Sequence, residues 1–387
     1  MRIVEVAEFY SPTGGGVRSY IDRKFEAAAA NGHELFVIAP SPGDGFEPRP
    51  AGGIVMVEAP QLPFDANYRM FWDAAPVHAQ LNALKPDLVE TSSPWRGAWI
   101  VANWPASTPR AMFVHAEPVA VYPQRWLAGF AGRDRIDRWF GWFWAYMRRL
   151  AGRFDTIAAG AWLAERLERQ GIGPIAKVPL GVDRTAFSPE LRDEALRARL
   201  LAACSLPEDS KLLLGVGRFH AQKRWPMVIS AVTAARNERS IGFVLVGDGM
   251  DRARIERAAA GKPHVHLLGA IRERRPLATL LASGDALVHG CESETFGLVT
   301  AEALASGLPL VAPDWGGSAE LADPAVSEVY RAANADSAAA AISRLLARDP
   351  AELRAASLRV AMEVRTDTQH YADLFAHYGR VVTRGRA

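Results

Sequence analysis

Apolar residues recur in short runs along the first half of the chain, separated by longer amphipathic stretches. The runs predict β-strands at residues 2–9, 34–39, 54–58, 87–91, 111–115 and 155–159. A helix over 17–30 follows the first strand, and a Pro/Gly-rich loop over 40–50 follows the second. Strands that alternate with helices in this way are typical of an open, mainly parallel α/β sheet.

The second half of the chain repeats the alternation. We expect strands at residues 211–217, 241–246, 265–268, 285–288 and 308–312, and helices over 191–201, from 226, over 296–306, between 325 and 365, and over 366–382. Gly307 suits a left-handed helix end, and Pro309 prevents the helix from continuing. Residues 177–183 have the composition of a linker, so the sequence predicts two α/β domains.

Composition narrows the class of protein. The 387 residues suffice for two domains, and 49% hydrophobic with 23% charged residues is typical of a soluble protein. A net charge of +2 gives no reason to expect a nucleic-acid partner. Cys204 and Cys291 lack a metal or redox spacing, residues 1–10 do not resemble a signal peptide, and no apolar run approaches the ~20 residues that span a bilayer. We therefore expect a cytoplasmic protein.

Two glutamates, Glu294 and Glu302, stand on either side of the start of the predicted 296–306 helix. Within one helix, eight residues correspond to a rise of about 12 Å and a rotation of about 80°. Two carboxylates that act on one bond lie roughly 5–10 Å apart, so these two are better placed to hold the ends of an elongated ligand. The helix N-terminus between them suits a phosphate, as in a sugar nucleotide. Two solvated glutamates fit the spacing equally well.

Glycines and cations follow other predicted strands. Gly14-Gly15 or Gly15-Gly16, after the first strand, would let backbone N–H groups approach a ligand, although the loop is not a dinucleotide fingerprint. Arg218 and Lys223 follow the strand at 211–217 and together can neutralise a diphosphate. Solvated cations and a tight βα turn are the alternative interpretations.

The glutamate spacing, Gly307-Leu308-Pro309, Gly316-Gly317 and the Arg218…Lys223 pair resemble the retaining family-4 glycosyltransferases of the GT-B fold. One difference is that Gly290-Cys291-Glu292-Ser293 stands where the family usually carries Pro-Ser. The resemblance implies two Rossmann-like doubly wound α/β domains facing a central cleft. Residues 1–180 would bind the acceptor, residues 181–365 the nucleotide sugar, and a helix over 366–387 would cross back to the N-terminal domain.

The resemblance also implies roles for individual residues. The catalytic set would be His115, Arg218, Lys223 and Glu294, with His115 and Glu294 on the donor sugar and the two cations on its diphosphate. Glu302 would hold the ribose. The remaining donor-binding positions implied are Gly15, Gly16, Gly247, Gly269, Ile271, Phe296, Gly297 and Leu298. No metal or other cofactor is expected, because the cations and the helix N-terminus stabilise the leaving group and the chain has no Asp-x-Asp clamp.

Tryptophan and arginine are concentrated in residues 124–154. Such a mixture suits an interface with anionic lipid, and it equally suits aromatic filling between a helix and the N-terminal sheet. For the first interpretation, the candidate acceptor or membrane residues are Arg18, Trp126, Trp139, Trp142, Arg148 and Arg149. Arg18 also fits an ordinary solvated helix arginine.

The sequence thus predicts a retaining, metal-independent hexosyltransferase. It would use a UDP- or GDP-sugar, act on a lipid or lipid-linked glycan, and contact the inner membrane face peripherally. A soluble acceptor, a nucleotide-sugar epimerase of the same fold and a catalytically silent binding protein stay open as alternatives.

Overall fold

The computed structural model describes residues 1–10, 16–62, 65–236 and 239–386. The chain forms two compact units. Unit 1 comprises Met1–Pro179 together with Thr368–Ala387, and unit 2 comprises Leu180–Asp367. The last helix of the chain therefore belongs to the same unit as the first strand.

Unit 1 is an α/β unit. Its elements are β1 (Arg2–Val6), α1 (Gly16–Ala30), β2 (Glu34–Ser41), β3 (Gly45–Arg49), β4 (Gly52–Glu58), β5 (Gln61–Leu62), β6 (Asp65–Arg69), α2 (Ala75–Leu84), β7 (Leu88–Thr91), α3 (Arg96–Ala102), β8 (Arg110–Val114), α4 (Pro118–Val121), α5 (Pro123–Leu127), α6 (Arg133–Trp139), α7 (Gly141–Ala151), β9 (Asp155–Ala158), α8 (Ala161–Arg169), β10 (Ile175–Lys177) and, from the C-terminus, α17 (Asp367–Arg386).

The described strands of unit 1 form a main sheet in the order β10-β9-β8-β7-β1-β2-β4-β3. Every pairing in it is parallel except that of β3 with β4. The central strands carry apolar residues on both faces, including Ile3, Val4 and Val89, all fully buried. Such strands form where helices cover both faces of a parallel sheet.

Unit 2 repeats this architecture. After a short 3-10 turn at Pro189–Leu191, its elements are α9 (Glu194–Ala203), β11 (Lys211–Val216), α10 (Trp225–Ala235), β12 (Ile241–Val246), α11 (Arg252–Ala259), β13 (Val265–Gly269), α12 (Arg274–Ser283), β14 (Ala286–Val288), α13 (Leu298–Ala305), β15 (Leu310–Pro313), α14 (Gly317–Glu320), β16 (Ser327–Tyr330), α15 (Ala335–Ala347) and α16 (Pro350–Glu363). The strands run parallel in the order β13-β12-β11-β14-β15-β16.

Both sheets are doubly wound, because the strand order reverses next to the first strand of each unit. The reversal lies between β1 and β7 in unit 1 and between β11 and β14 in unit 2. Ligands of open α/β sheets bind outside the carboxyl ends of the strands at such a reversal. The predicted pair of Rossmann-like α/β domains is confirmed. In unit 2, the loops that follow β11 and β14 lie at the reversal and are the candidate ligand-binding loops.

Several predicted elements differ from the structure, some of them only in their bounds. The predicted loop over 40–50 contains β3, an exposed antiparallel edge strand with no apolar alternation to reveal it. The stretch after residue 325, predicted as helical throughout, begins with the strand β16. The helix predicted over 296–306 is α13, which starts only after Gly297, whose φ of 89° ends any helical continuation toward Phe296.

A buried ion cluster ties α17 to the sheet of unit 1. The Lys24 ammonium donates to Glu5 at 2.8 Å and to Glu90, and the Tyr378 hydroxyl of α17 also donates to Glu90. The side chains of Lys24, Glu5 and Glu90 are fully buried. Burial raises the pKa of Glu90 to about 7, against the lowering effect of the Lys24 charge. One cation therefore serves two carboxylates in the core.

Candidate functional site

The candidate site is formed by the loops that follow β11 and β14, the neighbouring strands at the reversal of the unit 2 sheet. The first loop carries Arg218 and a 3-10 turn at Ala221–Lys223, and the second runs from His289 into α13. The loops approach closely, because a Cβ atom on Gly290 would lie 2.4 Å from the Lys223 carbonyl oxygen. Glycine is thus required at 290 for this contact.

The first loop is supported from behind by Trp225. The Trp225 indole N–H donates to the Arg218 carbonyl oxygen at 3.0 Å, and its ring is fully buried at the start of α10. Gly217, with φ of 153°, lies against the same ring. The Arg218 side chain is exposed at the end of this supported turn. The arrangement fixes the backbone of Arg218 while leaving its guanidinium accessible to a ligand.

Lys223 and Glu294 form an ion pair across the two loops. Burial alone would raise the pKa of Glu294, but the charges of Lys223 and Arg218 and the hydrogen bond from Lys223 lower it to about 2. The same carboxylate raises the pKa of Lys223 despite burial. Both groups are therefore ionised at neutral pH, which makes this a preformed pair of one hydrogen-bond donor and one acceptor.

His289 and Cys291 lie beside Glu294 and stay neutral. Burial and the Lys223 charge lower the pKa of His289 to about 4, and burial raises the pKa of Cys291 to about 12. Ligand atoms of His289, Cys291 and Glu294 lie within 4.8 Å of one another, a spacing that a metal ion could use. The residues fit one poorly, because the Lys223 ammonium already occupies the carboxylate.

Glu294 is held by backbone contacts to the loop after β15. The Gly317 N–H donates to the Glu294 carbonyl oxygen at 2.7 Å, and a Cβ on Gly316 would lie 2.6 Å from the Glu292 carbonyl oxygen. Glu294 therefore lies in the loop before α13, not on the helix. The helical rise and rotation estimated from the eight-residue spacing do not apply to this pair.

The other candidate residues of unit 2 surround these loops. Glu302 lies half-buried on α13, Phe296 is buried, and Gly297 is the left-handed residue before Leu298, where α13 begins. Gly247 directly follows β12 and Gly269 ends β13, and the Gly247 N–H donates to the Gly269 carbonyl oxygen at 2.9 Å. Gly247 has φ of 156°, and a Cβ there would lie 2.0 Å from the Gly217 carbonyl oxygen. The half-buried Ile271 follows β13.

The unit 1 candidates lie at the carboxyl ends of its strands. His115 follows β8 and stacks on Phe113, with ring centroids 4.4 Å apart and an edge contact to Tyr20. Burial lowers the pKa of His115 to about 3, so its imidazole is neutral. Gly16 begins α1, whereas Gly15 lies outside the described residues. Arg18 pairs with Asp22 one helical turn later, as expected of an ordinary helix arginine.

The aromatic stretch is divided among α5, α6 and α7 instead of forming one continuous helix face. Trp144, Phe143, Ile136, Met147 and Leu150 are buried in the unit 1 core. Other aromatic residues of the stretch are exposed by 53–82%, and we call them the aromatic surface: Trp126, Phe130, Trp139 and Trp142. Arg148 and Arg149 are exposed on α7. The buried residues of this stretch fill the core, whereas the lipid interpretation stays a prediction for the exposed ones.

A second ion pair joins the two site loops, and it was not predicted from the sequence: Arg224 pairs with Glu292. The hydrogen bond from the Gln222 side-chain amide to the Ser293 hydroxyl at 3.0 Å was not predicted either. The sequence did show that each of these charged residues stands within two positions of a motif residue. It did not show that they pair, because the two loops are far apart in sequence and meet only through the pairing of β11 with β14.

Comparison with known proteins agrees with this architecture. A family model described as Glycosyltransferase Family 4 matches residues 14–186, and one described as Glycosyl transferases group 1 matches residues 210–348. A GDP-mannose-dependent alpha-mannosyltransferase of Mycobacterium tuberculosis is 34% identical over 84% of this chain and 82% of its own length. A GDP-mannose-dependent alpha-(1-6)-phosphatidylinositol dimannoside mannosyltransferase of the same species is 31% identical over 80% of this chain and 79% of its own.

A similar fold occurs in a solved structure. Sucrose-phosphate synthase from Thermosynechococcus elongatus superposes with a TM-score of 0.78 at 19% identity, over 99% of this chain and 100% of that one. This likeness concerns the fold, whereas the sequence relatives establish the family. The predicted family and fold are confirmed: the chain belongs to the family-4 glycosyltransferases of the GT-B fold and is a glycosyltransferase.

Proposed function

We propose that this enzyme transfers a hexose-type sugar, with retained anomeric configuration, from a nucleotide diphosphate sugar to a lipid or lipid-linked glycan. Unit 2 would bind the donor and unit 1 the acceptor. The observation that carries the donor assignment is the ionised Lys223–Glu294 pair beside Arg218, at the strand-order reversal of unit 2. Among UDP- and GDP-sugars, the relatives named as GDP-mannose-dependent favour GDP-mannose.

Departure of the nucleoside diphosphate is the demanding step, because negative charge grows on it as the glycosidic bond breaks. In this proposal Arg218 offers a fork of N–H donors and Lys223 a point charge to the phosphate oxygens. The N-terminal N–H groups of α13 add a positive dipole end. This electrostatic stabilisation needs no metal, so we expect transfer to continue in the presence of a chelator.

The remaining residues orient the substrates. Glu294, ionised at neutral pH, would accept hydrogen bonds from donor sugar hydroxyls, and Glu302 would accept them from the ribose. His115, neutral at neutral pH, would contact the sugar as a hydrogen-bonding group and not as a charge. Attack from the face of the departing phosphate, which the family resemblance implies, would retain the configuration without a protein nucleophile.

A transfer assay with chelator present tests this function. GDP-mannose, UDP-glucose and UDP-galactose are each supplied with a phosphatidylinositol mannoside in detergent or with a free mannoside, and products are identified by mass spectrometry. We expect a new α-linked hexose on the lipid, with GDP-mannose as donor. Donor conversion without any acceptor product would instead indicate the epimerase alternative. Nucleotide binding without turnover would indicate the silent binding protein.

The two glutamates should affect different steps. Glu302→Ala removes the proposed ribose contact, so we expect weaker binding of the free nucleoside diphosphate, by about 1.5–3 kcal/mol for a hydrogen bond to a charged group. Glu294→Ala should lower sugar transfer more than it lowers affinity for the free nucleotide. Isothermal titration calorimetry and kcat measurements separate the two effects. Equal nucleotide affinity for the wild type and Glu302→Ala would contradict the ribose assignment.

We also propose that the aromatic surface contacts an anionic membrane at the cytoplasmic face, where it would bring the enzyme to its lipid acceptor. Four exposed aromatic side chains on three consecutive helices and the turn between the first two are unusual for a surface that meets only water. Exposed arginines accompany them on α6 and α7: Arg135, Arg138, Arg148 and Arg149. Basic residues near anionic lipid contribute about 1 kcal/mol each. Among the described residues, no helix is both long and apolar enough to cross a bilayer.

Co-sedimentation with vesicles tests the membrane contact. Wild type should pellet with vesicles that contain phosphatidylglycerol and much less with pure phosphatidylcholine, because the arginines supply the charge attraction. The double variant Trp139→Ser/Trp142→Ser should pellet several-fold less. Trp72→Ser is the matched control, since Trp72 is equally exposed in unit 1 but lies away from α5–α7 in sequence. Equal pelleting of all three proteins would contradict the role of the aromatic surface.

A further inference from the structure

A second charged contact joins the two site loops beside the Lys223–Glu294 pair. The Arg224 Nε donates to the two carboxylate oxygens of Glu292 at 2.9 and 2.7 Å, and its Nη2 donates to the same carboxylate. This is a two-pronged guanidinium–carboxylate contact, which restricts the relative orientation of its partners more than a lysine contact does. We call this Arg224–Glu292 contact the clasp.

The clasp is adjacent to the proposed donor residues on both sides. Arg224 directly follows Lys223, and Glu292 stands two residues before Glu294. Together with the contact of Gln222 to Ser293, three consecutive residues of one loop bind three consecutive residues of the other. A displacement of either loop would therefore move Lys223 or Glu294 directly.

The backbone at Arg224 indicates that its side chain is needed. Arg224 has φ of 50° and ψ of 33°, the left-handed region that glycine adopts freely and side-chain-bearing residues adopt at a cost. The same residue accepts the first backbone hydrogen bonds of α10 through its carbonyl oxygen, from Met227 and Val228. Glycine would satisfy this turn with less strain but could not form the clasp.

The loop opposite carries a glycine near its start. The missing Cβ of Gly290 permits the close approach to the Lys223 carbonyl oxygen. Glycine also gives the chain more backbone freedom than any other residue. Glu292 and Arg224 are both largely buried, with side-chain exposures of 14% and 21%, so their charges are only partly screened by water. The clasp thus adds a side-chain contact to the backbone contacts that hold this loop.

We propose that Arg224 and Glu292 are positioning residues for sugar transfer: they hold Lys223 and Glu294 in the arrangement that receives the donor, without touching it themselves. The proposal rests on the donor-binding role assigned above to Lys223 and Glu294. The loops are then already ordered before the donor binds, so the free energy of donor binding is not reduced by the cost of ordering them. Loss of the clasp should accordingly appear first as a weaker interaction with the donor.

Arg224→Gly and Glu292→Gln together separate positioning from stability in the full-length enzyme. Arg224→Gly relaxes the left-handed backbone but leaves the Glu292 carboxylate without its partner, so we expect a lowered unfolding midpoint, whereas Glu292→Gln leaves no unpaired carboxylate and should unfold closer to wild type. Misplaced site residues should nevertheless lower kcat/KM for GDP-mannose by about 10- to 100-fold, mainly through a higher KM. Glu292→Gln should give a similar loss, and the double variant should lose no more than either single variant.

Glu256→Gln is the control, because it removes one of the two carboxylate partners of an exposed arginine, Arg252, on α11 of the same unit. It should leave kcat/KM unchanged. A kcat/KM within twofold of wild type for Arg224→Gly would overturn the proposal. Additive losses in the double variant, or an activity loss that only follows a lowered unfolding midpoint, would overturn it as well.

A failure of the proposed function would be visible separately. If wild type binds GDP or UDP without transferring any sugar, the transferase assignment fails, and the clasp is judged by the nucleotide affinity of Arg224→Gly. An affinity lowered about tenfold would retain the positioning role. An unchanged affinity, or a wild-type enzyme that binds no nucleotide, would remove it.

Discussion

Lys223→Met is expected to lower kcat for sugar transfer about 10²–10³-fold, the usual effect of removing one group that stabilises transition-state charge. Lys223 is the cation held against Glu294 at the reversal of the unit 2 sheet, where the departing diphosphate would lie. Methionine keeps most of the side-chain volume and removes the charge. Steady-state kinetics at saturating donor give kcat, and thermal unfolding checks that the variant is folded.

Two further variants test whether a loss of kcat in Lys223→Met comes from the missing charge at this position. Lys177→Met removes an exposed lysine of unit 1 and should leave kcat unchanged. Lys223→Arg keeps a positive charge in a longer, planar group, and should retain more activity than Lys223→Met. A Lys223→Met enzyme with wild-type kcat would show that the leaving group is stabilised elsewhere, and would remove Lys223 from the mechanism.

Lys24→Met is expected to destabilise unit 1 by about 3–5 kcal/mol, the cost of breaking a buried ion pair by removing one partner. Without the ammonium, Glu5 and Glu90 would face each other in a core that excludes water. Urea denaturation followed by tryptophan fluorescence measures this unit in particular, because nine of the eleven tryptophans precede residue 163. The denaturation midpoint should therefore fall clearly.

The effect of Lys24→Met should depend on pH in a defined direction. In wild type the folded-state pKa of Glu90, about 7, already exceeds its ordinary value of 4.5, so this group's contribution to stability falls as pH rises between those values. Loss of Lys24 removes the charge that lowers the pKa of Glu90, so the folded-state pKa rises further. The destabilisation should thus be larger at pH 8 than at pH 5.5.

Arg169→Met is the control for this variant. Its exposed ion pair with Glu165 on α8 should contribute no more than about 1 kcal/mol. A Lys24→Met protein as stable as this control at pH 8 would mean that the buried cluster contributes little to the stability of unit 1.

The elements that could be predicted from sequence are those whose signals are local. Buried parallel strands such as β12, fully buried along its length, stand out as apolar runs with the observed bounds. The edge strand β3 could not be identified, because its residues are mostly exposed. Its extended conformation depends on the pairing with β4 and not on a local apolar pattern. The start of α13 was displaced by two residues, since glycine at 297 gives no sign in the sequence of its left-handed conformation.

The candidate site was predictable residue by residue but not as a set of contacts. The motif around Glu294 identifies a loop, and the motif around Lys223 identifies another. Their pairing follows from the neighbouring positions of β11 and β14, which lie about 70 residues apart in sequence. The Arg224–Glu292 clasp arises only at that level. Trp142 is exposed and Trp144 is buried because two positions of one helix are about 200° apart, so they lie on opposite faces of α7.

The return of α17 to unit 1 has a consequence for biosynthesis. Ribosomes synthesise a chain from its N-terminus. Unit 2, which is continuous in sequence, is therefore complete before the last segment of unit 1 exists. Until Tyr378 emerges, the Lys24 cluster lacks one of its covering groups. The N-terminal unit therefore cannot complete its core until Thr368–Ala387 has been synthesised.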